Sequence, residues 1–305
     1  MSYQREVTQP GHPDPTAIQD FQELLRLDAL DVNLYRGWCH AGAPLRAFGG
    51  QVAAQSLVAA GSTIDAGRSV HSLHGYFMRP GDPRRPLIYQ VERLRDGRSY
   101  ATRRVTAVQD GEAVFTLSAS FKYRETADRP FHQRMPEVPG PEQLHDSQVS
   151  WGASHGPDSF WATSARLTLD VREVPPDWPG LPADPLGAAT RYLWMRSASA
   201  LPSDDELLHT CALAYLSDLR LASTAALHVL DNAPGGPEAA KVMITSLDHA
   251  MWFHQAIRAD EWLLLTQRSP VAGDGRGLAQ GEFYTREGSL VASVVQEALV
   301  RTVNH

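Results

Sequence analysis

"SLHGYFMRPGDPRRPLIYQVERLRDGRSYATRRVTAVQDGEAVFTLSASFKY", residues 72–123, reads as four strands in succession. Val, Ile, Thr, Phe and Tyr fill the runs, as half-buried strands require. Asp96-Gly97 and Asp110-Gly111 break the runs where hairpins would turn. Residues 246–301, "SLDHAMWFHQAIRADEWLLLTQRSPVAGDGRGLAQGEFYTREGSLVASVVQEALVR", read the same way. Their turn signals, Asp274-Gly275 and Glu287-Gly288, fall about 177 positions later, the period of a whole domain and not of a solenoid unit.

One unusually apolar helix precedes each meander: "FGGQVAAQSLVAAG", residues 48–61, and "SDDELLHTCALAYLSD", residues 203–218. Both are apolar or small nearly all round, the pattern of a helix buried on most sides. Ser203 and Glu206 stand in capping-box spacing, which places the start of the second helix at Ser203. A strand is expected before each helix, over residues 30–38 and 190–198. Each half then reads strand, central helix, antiparallel meander. The fold class is α+β, with two repeats of a long antiparallel sheet wrapped around a central helix. The halves are expected at 1–125 and 190–305, joined by a Pro/Gly-rich connector at 126–189 with one short strand over 167–174. Ile18, Phe21, Leu24 and Leu25, at helical spacing after Asp14-Pro15-Thr16, predict a short flanking helix.

At 305 residues the chain can hold one large domain or two of ordinary size. A formal net charge of −7 argues against a nucleic-acid partner. The opening "MSYQREVTQPGHPDPT" has no apolar signal region, and no run of about 18 apolar residues predicts a membrane span. Cys39 and Cys211 stand far apart in no metal spacing, so a reducing, cytoplasmic setting is expected.

Several motifs invite chemistry. "GASHG", residues 152–156, matches the nucleophile-elbow pattern, but no strand–turn–helix context surrounds it, and it reads as a loop. His71 and His74 would point to opposite faces of a strand and could not share a metal. In "ITSLDHAMWFH", residues 244–254, strand alternation puts Ser246 and Asp248 on one face and His249 on the other. Neither strand nor helix gathers His249 and His254 around a metal. Arg79, Arg84, Arg85, Arg93, Arg95, Arg98, Arg103 and Arg104 crowd the first meander, either as a solvated face or as a phosphate-binding patch.

"FGGQ" at 48–51, "LHGYFMRPGD" at 73–82, "LRDGRSYATRRV" at 94–105, "YLSD" at 215–218, "LDHAMWFH" at 247–254, "GEFYT" at 281–285 and "VQEALVR" at 295–301 occur in order. Together they resemble the acyl-CoA thioesterase II family, the double-hotdog thioesterases. The resemblance covers both halves, roughly residues 15–301 apart from the connector. It implies a hydrolase that cleaves fatty acyl-CoA to free acid and CoA, without cofactor or metal, and assembled as a homodimer or homotetramer. It implies a water held by an Asp, a Ser or Thr, and a Gln. Position by position these are Asp218, Ser246 and Gln296. Asp218 would be the general base, its pKa raised by partial burial. Gly49, Gly50, His74, Arg79 and His249 are candidates for substrate contact, and His249 has His74 as its repeat partner. A hotdog enoyl-CoA hydratase would need a "HFPG"-like or Asp-x-Asn-Pro-x-His-like stretch, and neither is present. A noncatalytic acyl-CoA carrier would lack the polar trio.

Overall fold

The computed structural model describes residues 18, 20–42, 46–126, 131–156, 159–162, 165–182, 187–231 and 242–302. The first half runs α1 (Phe21–Leu25), β1 (Asp28–Asp31), β2 (Leu34–Gly37), α2 (Gly49–Gly61), β3 (Arg68–Phe77), β4 (Leu87–Asp96), β5 (Tyr100–Gln109) and β6 (Glu112–Tyr123). Next come α3 (Gln148–His155), α4 (Ala165–Thr168) and β7 (Leu169–Glu173). The second half is β8 (Ala189–Ser197), α5 (Glu206–Ser217), α6 (Leu221–Ala225), α7 (Leu227–Asp231), β9 (Val242–Ser246), β10 (Asp248–Phe253), β11 (Leu263–Gly273), β12 (Arg276–Thr285) and β13 (Leu290–Thr302).

One continuous sheet carries both halves in the order β1-β2-β4-β5-β6-β3-β10-β13-β12-β11-β8-β7. Read from the β3–β10 seam outward, each side repeats the same succession, so the architecture is the double hotdog. The hairpins turn where Asp-Gly marks them. Asp110 and Gly111 take φ 55° and 79°, and Asp274 and Gly275 take φ 51° and 70°. Positive φ at both central residues is what a tight two-residue hairpin demands.

Inside the sheet α2 and α5 lie antiparallel. A Cβ added to Gly50 would sit 2.6 Å from the Tyr215 carbonyl oxygen, and one added to Gly61 would sit 2.5 Å from Leu207. The start of each helix therefore meets the end of the other. One apolar core spans both halves, with Leu57, Phe115, Phe121, Leu213, Leu265 and Phe283 among its buried members. Gln51 and Gln55 interrupt the apolar surface of α2, and both are buried. Their amide nitrogens donate to the carbonyls of Leu24 and Trp38, at 2.7–3.1 Å. Their oxygens accept from the His40 N–H and the Tyr89 hydroxyl. These bonds tie α1 and the segment after β2 to the central helix. A five-residue helix has no independent stability. Burial of Phe21, Leu24 and Leu25, worth about 1.5–3 kcal/mol each, holds α1 in place.

Five expectations need correction. Residues 30–38 form the β1–β2 hairpin and not one strand, because Asn33 turns the chain at φ 59°. α5 is capped by Asp205 and not by Ser203; the Asp205 carboxyl accepts from the Leu208 N–H at 2.9 Å. "GASHG" is not a loop: its first four residues close α3, and Gly156 ends the helix at φ 91°. Between Ser246 and Ala250 lie four steps of chain, but their partners Ala298 and Val295 are three apart. That extra residue is a bulge at 247, and it inverts the alternation downstream. Ser246 therefore shares a face with His249, not with Asp248, whose carboxylate turns to accept from the Glu297 N–H at 2.7 Å.

Fifth, of the two readings of the arginine-rich meander the solvated face holds for Arg79, Arg84, Arg85, Arg93, Arg95, Arg98 and Arg104, and Arg103 departs from it. Arg79, Arg84, Arg85 and Arg104 pair with Glu112, Asp82, Asp110 and Glu92. Arg103 is 2% exposed, where it donates to the Thr63 hydroxyl, the Thr63 and Arg95 carbonyls, and Asp96. Truncating one partner of such a network strands the others. Arg103→Met should therefore lower the unfolding free energy by about 3 kcal/mol in urea denaturation, whereas Arg104→Met should change it by less than about 1 kcal/mol.

Candidate active site

α2 begins without a cap of its own. Its N-cap residue is Phe48, which offers no side-chain acceptor to the first N–H groups. The acceptor comes from the other half: the carboxyl of Asp218, the residue that ends α5, takes the Gly50 N–H. The approach requires glycine. A Cβ on Gly49 would lie 2.9 Å from Asp218 Oδ2, and one on Gly50 would lie 2.9 Å from Asp218 Cβ. Phe48 and Phe77 flank the pair, each within 3.0 Å of one of those added carbons.

Two forces act on the buried Asp218 carboxyl. The start of α2 carries partial positive charge, and it and the Gln296 amide favour the ionised form. Burial disfavours it and is the larger effect, so the pKa is pushed up to about 6. Gln296, fully buried on β13, faces the carboxyl. Asp218 Oδ1 and Gln296 Nε2 are both buried, and neither makes a hydrogen bond of ordinary geometry with the described residues. The Gln296 side chain thus stands near enough to favour the carboxylate, while Oδ1 and Nε2 each lack a hydrogen bond of ordinary geometry.

The Gln296 amide is oriented from behind. Its Oε1 lies 3.3 Å from His249 Nδ1, and His249 Nε2 lies 2.8 Å from the Ser217 hydroxyl. With Nε2 of Gln296 turned to the carboxyl, Oε1 must accept, so His249 carries a proton on Nδ1, and the one proton of the Ser217 hydroxyl lies within reach of both His249 Nε2 and the Ala214 carbonyl, each at 2.8 Å. Burial lowers the His249 pKa to about 4, which keeps the ring neutral in this role. Ser246 lies on β9 opposite Ala298, diagonal to Gln296 on the same face. Arg46, just before α2, reaches β9 as well and donates to the Thr245 hydroxyl at 3.1 Å.

The structure thus gathers Asp218, Gln296, His249, Gly49 and Gly50, with Ser246 on the adjoining strand. It does not bring in His74. That ring pairs across the seam with Ala250, is exposed on the opposite face from His249, and stands edge-on to Trp252 at 5.2 Å. His249 lies opposite Gly75, so the bulge breaks its equivalence with His74. Arg79 is engaged by Glu112 and the Ala113 carbonyl. Ser217 was passed over in the sequence, because a serine inside an apolar helix gives no sign of its partner. A second omission is the aromatic box beside Gly50. His40 stacks on Phe160 at 3.7 Å and bonds the Tyr215 hydroxyl at 2.8 Å, with Phe48 and Trp161 around it. Among the described residues no group of three or more His, Cys, Asp or Glu is placed to hold a metal.

Comparison with known proteins finds thioesterases over both halves of the chain. A family profile described as acyl-CoA thioesterase matches residues 183–299, and one described as acyl-CoA thioesterase N-terminal domain matches residues 35–122. The chain is 36% identical to acyl-coenzyme A thioesterase 8 of Homo sapiens over 286 residues, covering 91% of this chain and 88% of that one. It is 34% identical to acyl-CoA thioesterase 2 of Haemophilus influenzae, covering 93% and 98%. A crystal structure of an acyl-CoA thioesterase II from Mycobacterium marinum superposes with a TM-score of 0.76 at 43% identity, covering 93% and 99%.

The raised pKa of Asp218 has a stability consequence. Below about pH 4 the carboxyl is protonated in both folded and unfolded chains. Between about pH 4 and about pH 6 the folded chain keeps a proton that the unfolded chain has lost, so stability falls as pH rises, by about 3 kcal/mol in all. Asp218→Asn removes that cost. The variant should melt above the wild type at pH 7.5, and the gap should close toward pH 4; a variant less stable than wild type at pH 7.5 would contradict the burial argument.

Proposed function

The chain belongs to the acyl-CoA thioesterase family and is a thioester hydrolase, and we propose that it hydrolyses fatty acyl-CoA with a water held by Asp218, Gln296 and Ser246. The observation that carries this reading is the pair of buried, mutually unsatisfied atoms, Asp218 Oδ1 and Gln296 Nε2. A water between them donates one proton to the carboxylate and accepts from the amide, while the Ser246 hydroxyl steadies it from β9. The water oxygen attacks the thioester carbonyl carbon as Asp218 takes its proton. The Gly49 N–H, first in α2, supplies a donor for the oxygen that gains charge, since the Gly50 N–H is held by Asp218 and those of Gln51 and Val52 by the Phe48 carbonyl. The C–S bond then breaks, the CoA thiolate leaves, and the acid is released.

Each residue's environment suits its part. A carboxylate with a pKa near 6 is a stronger base than an ordinary aspartate and is still mostly ionised at neutral pH. The Ser217–His249–Gln296 chain fixes the amide, so that the water's position is set before substrate arrives. The Phe48, Phe77, Phe160 and Trp161 rings support an apolar wall for the acyl chain. Both cysteines are unpaired and buried, which supports a reducing cytoplasmic setting, and no helix among the described residues is long and apolar enough to cross a membrane. Tyr76 and Trp252 are exposed on the outer face of the seam and support a homodimer or homotetramer.

Release of CoA can be followed with a thiol-reactive dye, since burial pushes the Cys39 thiol up to about 12 and silences it in the native protein. Asp218→Asn should lower kcat by about 10²–10⁴-fold, the range for loss of a general base. Gln296→Ala should lower it about 10²-fold, and Ser246→Thr should retain activity where Ser246→Ala does not. In the wild type kcat/KM should rise with pH through about 6, as the base ionises. Equal CoA release by wild type and Asp218→Asn would refute the assignment.

A further inference from the structure

The α2–α5 pair has two ends, and Asp218 stands at one of them. At the other, the end of α2 meets the start of α5, and between them opens a cavity of about 320 Å³. Its lining includes Asp65, Arg68, Asp204, Asp205, Glu206 and Thr210. By the internal repeat it is the counterpart of the thioesterase site, but its chemistry differs. The residue ending α2 is Ser62 where the residue ending α5 is Asp218, and the Ser62 hydroxyl bonds back to the Val58 carbonyl. Acidic residues stand at the start of α5 where α2 starts with glycines.

Arg68 is the group that the fold leaves unsatisfied. Its side chain is 93% buried, being 7% exposed, and lines the cavity. Nη2 donates to the Gly97 carbonyl at 2.7 Å, the guanidinium lies 4.9 Å from the Tyr123 ring centre, and Asp65 approaches Nη1 only to 3.8 Å. Nε and Nη1 are buried and have no hydrogen-bond acceptor among the described residues. A buried cationic donor without an acceptor is costly, and a bound oxyanion on Nε and Nη1 would remove that cost. Glu206 is taken by Arg124 and Ser69, Asp205 caps α5, and Asp65 has only its 3.8 Å ion pair with Arg68, so Asp204 is the open charge at the mouth with Asp65 beside it.

We infer that this cavity binds a small amphoteric ligand, with an oxyanion on Arg68 and an ammonium group between Asp65 and Asp204. A simple anion would meet the acidic rim, and a simple cation would leave Arg68 unanswered; only a ligand carrying both charges satisfies both walls. The inference rests on Arg68 and the cavity and is independent of the catalytic assignment.

Calorimetric titration with O-phosphoethanolamine and with 4-aminobutyrate tests it and separates a phosphate from a carboxylate as the oxyanion. Inorganic phosphate, butyrate and ethanolamine serve as single-charge controls. At least one amphoteric probe should saturate in the millimolar range or below, and the controls should bind at least about tenfold more weakly. Arg68→Gln and the exposed-site Asp204→Asn should each weaken that binding about tenfold or more while CoA release is retained, which shows that the variants are folded. The inference is overturned if neither amphoteric probe saturates by about 10 mM, if a control binds as tightly, or if Asp204→Asn binds as the wild type does.

Discussion

Everything at the active end depends on how closely the start of α2 can approach the end of α5. Gly49 and Gly50 allow contact with the Tyr215 carbonyl and Asp218 at distances no other residue would permit. That contact places a carboxyl where an N-cap side chain would otherwise stand, so one aspartate completes a helix from the opposite half and is buried by the same act. Burial then sets its basicity. The favourable pull of the helix start and the Gln296 amide keeps the group ionisable, and desolvation keeps its pKa high. Packing and ionisation here are one balance: the interaction that closes the two halves also raises the pKa of the carboxyl.

The repeat produces two such helix ends, and the protein treats them differently. At one end an aspartate, a glutamine and a neutral histidine converge. At the other, Ser62 closes α2 and the acids move to the opening of α5. The asymmetry extends to the seam. On one side of it Gly75 occupies the position opposite His249, and the bulge at 247 turns His249 inward toward Gln296. A single inserted residue thus decides which histidine belongs to the site.

Much of this was legible in the sequence, for identifiable reasons. Meanders announce themselves through period-2 runs and Asp-Gly turns, and Asp110-Gly111 and Asp274-Gly275 adopt the backbone that such turns need. The two central helices stood out because burial on all sides leaves no polar face. What was lost depends on register and on distant partners. Alternation put Asp248 beside Ser246, and only the pairing to β13 shows the extra residue that separates them. Arg103 looked like its exposed neighbours, because only the fold reveals Thr63 and Asp96 around it. Asp218, Ser246 and Gln296 stand out in the sequence only through a family resemblance; their residue types alone do not single them out from other polar side chains. Ser217 carried no signal of its own, since its meaning lies in His249, 32 positions away.

If burial at the helix junction gives Asp218 a pKa near 6 and makes it the proposed base, titrating that carboxyl itself is the most direct test. Carboxyl-carbon NMR of protein labelled at aspartate, assigned by comparison with Asp218→Asn, gives its ionisation curve. The expected midpoint lies at about pH 6 and coincides with the rise in kcat/KM for acyl-CoA hydrolysis. A midpoint at the ordinary aspartate value of about 4, or a rate profile that does not follow the carboxyl, would contradict it.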